Sequence, residues 1–174
     1  PIYLSAEYVA DFQIAAYYSS YSDMFDKRVA LGNSSGGQLP IVCDQALVVR
    51  NVPVNDGGGL DDTSIMTTRF CNLNEGNTLR SAFNRMLDVT ANYERDAENT
   101  TAVQIWTQGL GGPVNPPWDF MMALVGTDRQ ELAQRMDLAR EGYRGGRGNG
   151  WALGGFTCTR QALWSTNRVY SENN

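Results

Sequence analysis

The sequence predicts a single mixed α+β domain, with about three to four helices and a small, mainly antiparallel sheet. Three observations point there. Apolar residues at helical spacing alternate with short β-branched runs, as between Leu79–Thr90 and Ala46–Val49. Glycine, proline and asparagine cluster between those runs, where turns are needed. The chain has 174 residues, enough for one hydrophobic core and short for two. Residues 1–170 therefore read as one globular domain and 171–174 as a polar tail, with no internal repeat and no linker.

The first element is a helix from Ser5 to about Leu31. Ser5 suits its N-cap, Glu7 its first turn, and Gly32 its end, while Val9, Phe12 and Ala16 form an apolar stripe. The Ser19–Ser22 stretch weakens its middle and predicts a break there. Strands follow at Ala46–Val49 and Ile65–Cys71, and Pro53 ends the first or places it on an edge. Asn55–Asp62 is the loop between them.

A second helix spans Thr78 to Ala97 with Asn77 as cap, and Leu79, Phe83, Met86, Leu87 and Thr90 face the core. Val103–Thr107 reads as a short strand. Gly111-Gly112-Pro113 and Pro116-Pro117 then force a loop. The apolar run Trp118–Val125 is assigned to a short buried helix. Thr127-Asp128-Arg129-Gln130 reads as the capping box of the next helix, along which Leu132, Met136, Ala139 and Tyr143 recur at helical spacing. The glycine-rich stretch Gly142–Gly150 is irregular, and Phe156–Trp164 is the last strand.

Composition restricts chemistry sharply. The chain has no histidine, and its 14 basic residues are one lysine, Lys27, and otherwise arginines. Ser-His-Asp and Cys-His catalysis and His-based zinc sites are thereby excluded. The net charge of -5 argues against coating nucleic acid through bulk positive charge, though a local arginine surface remains open. No run approaches the roughly 18 apolar residues of a membrane helix, so no membrane insertion is expected. The opening Pro1-Ile2-Tyr3-Leu4 lacks the basic region and apolar core of an export signal, which is either absent or already removed. No GxGxxG and no Gly-Lys-Ser/Thr loop is present, so no small-molecule cofactor is expected. The Asp56–Asp62 loop lacks the alternating ligands of a calcium loop, so a surface turn and no metal is the reading there.

Cys43, Cys71 and Cys158 are odd in number and widely spaced, which favours reduced, mostly buried thiols over one bridge plus a free thiol. Asn33-Ser34-Ser35 and Asn99-Thr100-Thr101 match the glycosylation sequon, a signal that matters only in a eukaryotic secretory setting.

The strongest candidate site is a cluster of arginine, glycine and aromatic residues: Arg140, Arg144, Arg147, Tyr143 and Trp151. Arginine pairs with phosphate bidentately, glycine lets backbone approach a ligand, and aromatic rings stack bases, a combination suited to single-stranded RNA. Arg140 and Arg144 share a face if the helix reaches that far. A solvated helix end, where cations complement the helix dipole, explains the same residues without RNA. Arg80, Arg85 and Arg95 form a second basic group whose simplest role is pairing with Asp88, Glu94 or Asp96. Trp106, Trp118, Trp151 and Trp164 stand in or near Gly/Pro-rich segments and read first as core anchors.

In composition alone, being small, acidic and poor in lysine and histidine, the chain resembles the coat proteins of rod-shaped plant viruses. That resemblance implies arginines that hold RNA; no motif carries it. The functional expectation is a non-enzymatic, self-assembling structural subunit, capsid-like, with copies of itself and RNA as partners, located in a virion or the host cytoplasm. The alternative is an exported, extracellular pilus- or secretion-type domain that binds protein or glycan, which a Cys43–Cys71 or Cys71–Cys158 bridge would favour. A glycosidase using two of Glu94, Asp96, Glu98 and Asp119 is the third reading.

Overall fold

The computed structural model describes residues 2–3, 16–34, 49–57, 63–110, 115–143 and 155–167. The chain forms two compact units, Ala10–Ala46 and the remainder. Within the first lies α1, Tyr21–Ser34. It starts where the serines were expected to break a longer helix. Ser20 Oγ accepts from Asp23 N–H (3.1 Å), and the Asp23 carboxylate accepts in turn from Ser19 N–H (3.0 Å), so the serines cap the helix. Gly32 lies inside α1 rather than at its end, and the expected residues 5–15 of the helix fall outside the described set.

The second unit is mixed α+β. Its elements are β1 (Ile2–Tyr3), β2 (Val49–Pro53), β3 (Thr63–Leu73), α2 (Leu79–Ala97), β4 (Ala102–Gln108), β5 (Phe120–Gly126), α3 (Arg129–Arg140) and β6 (Phe156–Asn167). The six strands form one sheet in the order β1-β6-β3-β5-β4-β2, every pair antiparallel. Removing the two edge strands leaves β3-α2-β4 and β5-α3-β6 interleaved, so that each β-α-β unit has a strand of the other between its own two. This is the split β-α-β arrangement of ferredoxin-like folds, a topology that implies no function by itself.

The run Trp118–Val125 is the main correction to the sequence reading. It is not a helix: Phe120–Gly126 is β5, inside the sheet between β3 and β4. Phe120, Met122 and Leu124 pack with Ala82 and Met86 of α2 and Leu132 of α3. Ala123 and Val125 pack on the opposite face with Ala102, Met66 and Trp106. A strand buried on both faces is apolar at every position, so it shows no period to separate it from a buried helix.

The helix starts are shifted by one residue from expectation. Thr78, not Asn77, caps α2: Thr78 Oγ1 accepts from Ser81 N–H (3.1 Å) and Ser81 Oγ accepts from Thr78 N–H (3.0 Å). Asn77 instead packs its side chain on Gly155, where a Cβ would collide with it and where φ is +73°. Asp128, not Thr127, caps α3 by accepting from Gln130 and Glu131 N–H, both at 2.8 Å. At Gly126 a Cβ would stand 2.8 Å from that of Leu132, so glycine lets α3 close onto the end of β5.

Cys71 and Cys158 face each other across β3 and β6, 4.0 Å apart at Cα, and form a disulfide, which corrects the expectation of reduced thiols. The pairing decides this. Residues 87 apart in sequence become direct neighbours only once β6 lies beside β3. Cys43 lies outside the described residues.

The double variant C71A/C158A should retain its far-ultraviolet spectrum and lose about 2–5 kcal/mol of stability in urea unfolding. An unchanged unfolding midpoint would show that the bridge contributes nothing to the folded state.

Candidate functional site

Two polar assemblies lie where α2 meets α3. The first begins at the end of α2, where Glu98 takes the left-handed conformation (φ 52°) and its N–H donates to Glu94 O. The turn sends Asn99, which is 0% exposed, under α3. Its Nδ2 donates to Glu131 O (2.9 Å) and Gln134 Oε1 (3.0 Å), and its Oδ1 accepts from Thr101 N–H (3.4 Å). Glu131 answers from the helix: Oε1 accepts from Thr100 N–H (3.0 Å) and Oε2 from Thr127 N–H (2.7 Å). An open hollow above this junction is lined by Glu98, Thr100, Thr127, Asp128, Gln130 and Glu131, with Gln134 beside them. Because Glu131 and Asp128 already accept backbone N–H groups, the junction reads as a clamp between segments. The Asn99 sequon is also answered. Its nitrogen is buried and donates twice, so the folded chain has no room for a glycan there.

The second assembly is aromatic. Tyr143 stands edge-on to Tyr93 with ring centroids 4.7 Å apart. Tyr93 OH donates to Tyr143 O (3.0 Å), while Tyr143 OH bonds Asn92 O (3.0 Å) and the Asp96 carboxylate (2.7 Å). Burial, then the hydrogen bond to Asp96, pushes the Tyr143 phenol up to about 12. The exposed Asp96 carboxyl is held below its usual range, first by the Arg95 guanidinium bonded to it at 2.6 Å and next by Tyr143. This is the pairing expected for Arg95. Under the rings Arg135 is only 2% exposed, with its guanidinium carbon 3.6 Å from the Tyr93 centroid. Sequence reasoning passed over Arg135. The signal was there: it lies three residues after Leu132 and four before Ala139, on the stripe read as apolar.

Of the proposed RNA-contacting residues, Arg140 and Tyr143 are described, and Arg144, Arg147 and Trp151 lie outside the described residues. Arg140 is exposed in the last turn of α3 and pairs with Asp137 (3.5 Å). The helix does not extend to Arg144. Gly142 adopts φ +99°, its N–H reaches Ala139 O, and Tyr143 N–H reaches Leu138 O, a Schellman ending that closes α3. α3 therefore ends at Arg140, before the residues in which Arg144 lies. Tyr143 belongs to the Tyr93 assembly, which leaves its hydroxyl and the face of that pairing engaged. Trp118 and Trp164 are buried, Trp164 donating to Thr68 Oγ1 (2.8 Å), and Trp106 is half-buried in β4. Asp119, a carboxylate considered for catalysis, accepts from Leu73 N–H (2.7 Å).

Comparison with protein-family models, curated proteins and solved structures finds no match.

Replacing Asn99 with Ala should destabilise the protein by about 1–3 kcal/mol, since the Thr101 N–H, Glu131 O and Gln134 each lose a bond at a junction at least partly buried. A loss indistinguishable from that of an exposed Asn→Ala change such as N84A would argue against the clamp. For Tyr143, the phenolate absorbance titration of wild type minus Y143F should show a midpoint near 12. The folded value lies above the ordinary ~10, so the phenol stabilises the fold below that pH and the contribution disappears as pH rises through the folded value. A difference titration centred near an ordinary tyrosine value would contradict the burial of the phenol and its Asp96 contact.

Proposed function

We propose that this chain is a non-enzymatic module exported from the reducing cytosol, of the pilus or secretion-component kind, that works by binding protein or glycan. The observation that carries the reading is the Cys71–Cys158 bridge. Bridges of this kind persist in secreted, periplasmic and surface settings and are rare where glutathione and thioredoxin keep thiols reduced. The edges of the sheet favour contacts through its faces and helices over strand addition. Val54 N–H bonds Val103 O, so alternation along β2 turns the Pro53 position outward, where it offers no N–H to an incoming strand. On the other side, β6 is irregular opposite Thr68–Phe70, and among the described residues β1 covers Leu163 and Trp164.

A self-assembling, coat-like subunit is the second reading, because a virion surface is also an oxidising setting. Tyr21 (44% exposed) and Phe25 (53% exposed) stand four residues apart on α1 and favour it, since exposed aromatic side chains suit subunit contacts. In this reading Arg140, Arg144 and Arg147, with Tyr143 and Trp151, meet RNA. The glycosidase reading draws little from Asp96 and Asp119, whose carboxylates hold Arg95 and Tyr143 and the Leu73 amide.

The deciding experiment pairs a thiol count on unfolded, unreduced protein with light scattering and the ultraviolet absorbance ratio at low and high salt. Three cysteines less the bridged pair leave one free thiol per chain, and the exported reading expects that count from a small particle free of nucleic acid. Three free thiols would sink it. Large particles carrying salt-sensitive nucleic acid would replace it with the coat-like reading, in which R144A/R147A should then weaken RNA binding and flatten its salt dependence without unfolding the domain.

A further inference from the structure

We infer that Arg135, where α3 packs on α2, binds a small monovalent inorganic anion of the chloride kind. Among the described residues nothing accepts a hydrogen bond from Nη1 or Nη2 of the Arg135 guanidinium, which are buried in a residue only 2% exposed. The flat face of the guanidinium is answered by the Tyr93 ring at 3.6 Å, but ring stacking leaves the in-plane N–H donors free.

Two further buried groups in these elements are also unpartnered, Thr90 Oγ1 and Thr101 Oγ1. Thr90 lies one turn before Tyr93 on α2, and both are buried. Thr101 follows Asn99, whose side chain is bonded to Glu131 and Gln134, the residue next to Arg135. The orphaned groups thus belong to three segments that the Tyr93 and Asn99 contacts hold against one another. Each can donate a hydrogen bond, and the two guanidinium nitrogens can do nothing else.

Charge then selects the occupant. Burial draws the guanidinium down to about 10, which leaves it cationic at neutral pH. Glu131, one turn earlier, acts on this charge through space but directs its oxygens to the Thr100 and Thr127 amides. A water molecule could accept from the N–H groups but would bring no charge to them, and burying a cation without a directly bonded counter-charge is costly. A compact anion meets both demands, because it accepts from several donors and cancels the charge. The packed position, under Tyr93 and between two helices, restricts it to a small ion. The site is independent of the functional reading above and makes the anion a component of the folded unit.

The test is thermal unfolding of the intact, unreduced protein in sodium chloride against sodium gluconate of equal ionic strength, with gluconate too large to enter. Wild type should show a saturable rise in Tm of about 4 °C or more with chloride. R135M should show no difference between the two salts. Chloride NMR on the wild-type protein gives a second readout that needs no variant to fold: line broadening should titrate away with bromide. Equal Tm values in both salts together with unbroadened chloride would overturn the proposal and leave ordered water as the occupant. A chloride response in folded R135M equal to that of wild type would overturn it as well, by placing the ion elsewhere.

Discussion

The placement of β3 and β5 side by side in the middle of the sheet is the constraint on which the second unit depends. β3 pairs with β5 on one flank and β6 on the other, so β5 must be buried on both faces and β6 must return beside the first strand of the core. Once that pairing exists, α2 and α3 have one common face to cover. Ala82 and Met86 from one helix and Leu132 from the other reach the same strand residues, Phe120, Met122 and Leu124. The disulfide comes from the same geometry, because Cys71 and Cys158 occupy opposed positions of the β3–β6 ladder.

The helical layer is apolar toward the sheet and polar where the helices meet each other. Asn99, Glu131 and Gln134 tie the exit of α2 to the start of α3 by directional bonds, whereas Tyr93, Tyr143 and Arg135 join α2 to α3 and its exit through rings and charge. Such groups make stringent demands, since every buried donor needs a partner of the right kind. The clamp around Asn99 satisfies its members. The Arg135 assembly does not, and the difference marks the second as a place for a ligand and the first as structure.

These arrangements also bear on function. Of the expected RNA surface, the described members are Arg140 and Tyr143. The left-handed turn at Gly142 ends α3 just after Arg140, and Tyr143 is drawn back against α2. The bridge between β3 and β6 shifts weight from an intracellular coat-like assembly toward work in an oxidising compartment.

By itself the sequence determined the mixed class, the span of α2, the restriction of Pro53 to a strand end or a sheet edge, and the exclusion of histidine chemistry. These are local properties: helical spacing from Leu79 to Thr90, a proline without an amide, and an amino acid that is simply missing. Tertiary structure decided the rest. Phe120–Gly126 reads alike as helix or strand until two neighbouring strands supply its hydrogen bonds. Cys71 and Cys158 carry no mark of each other across 87 residues, and Asn99 matches a glycosylation signal until α3 closes over it. Arg135 looks like one more charge on a helix until Tyr93 covers it and burial removes its water. Periodicity and capping act through near neighbours in the chain, while pairing, burial and the partners of a buried charge come from residues far apart in it.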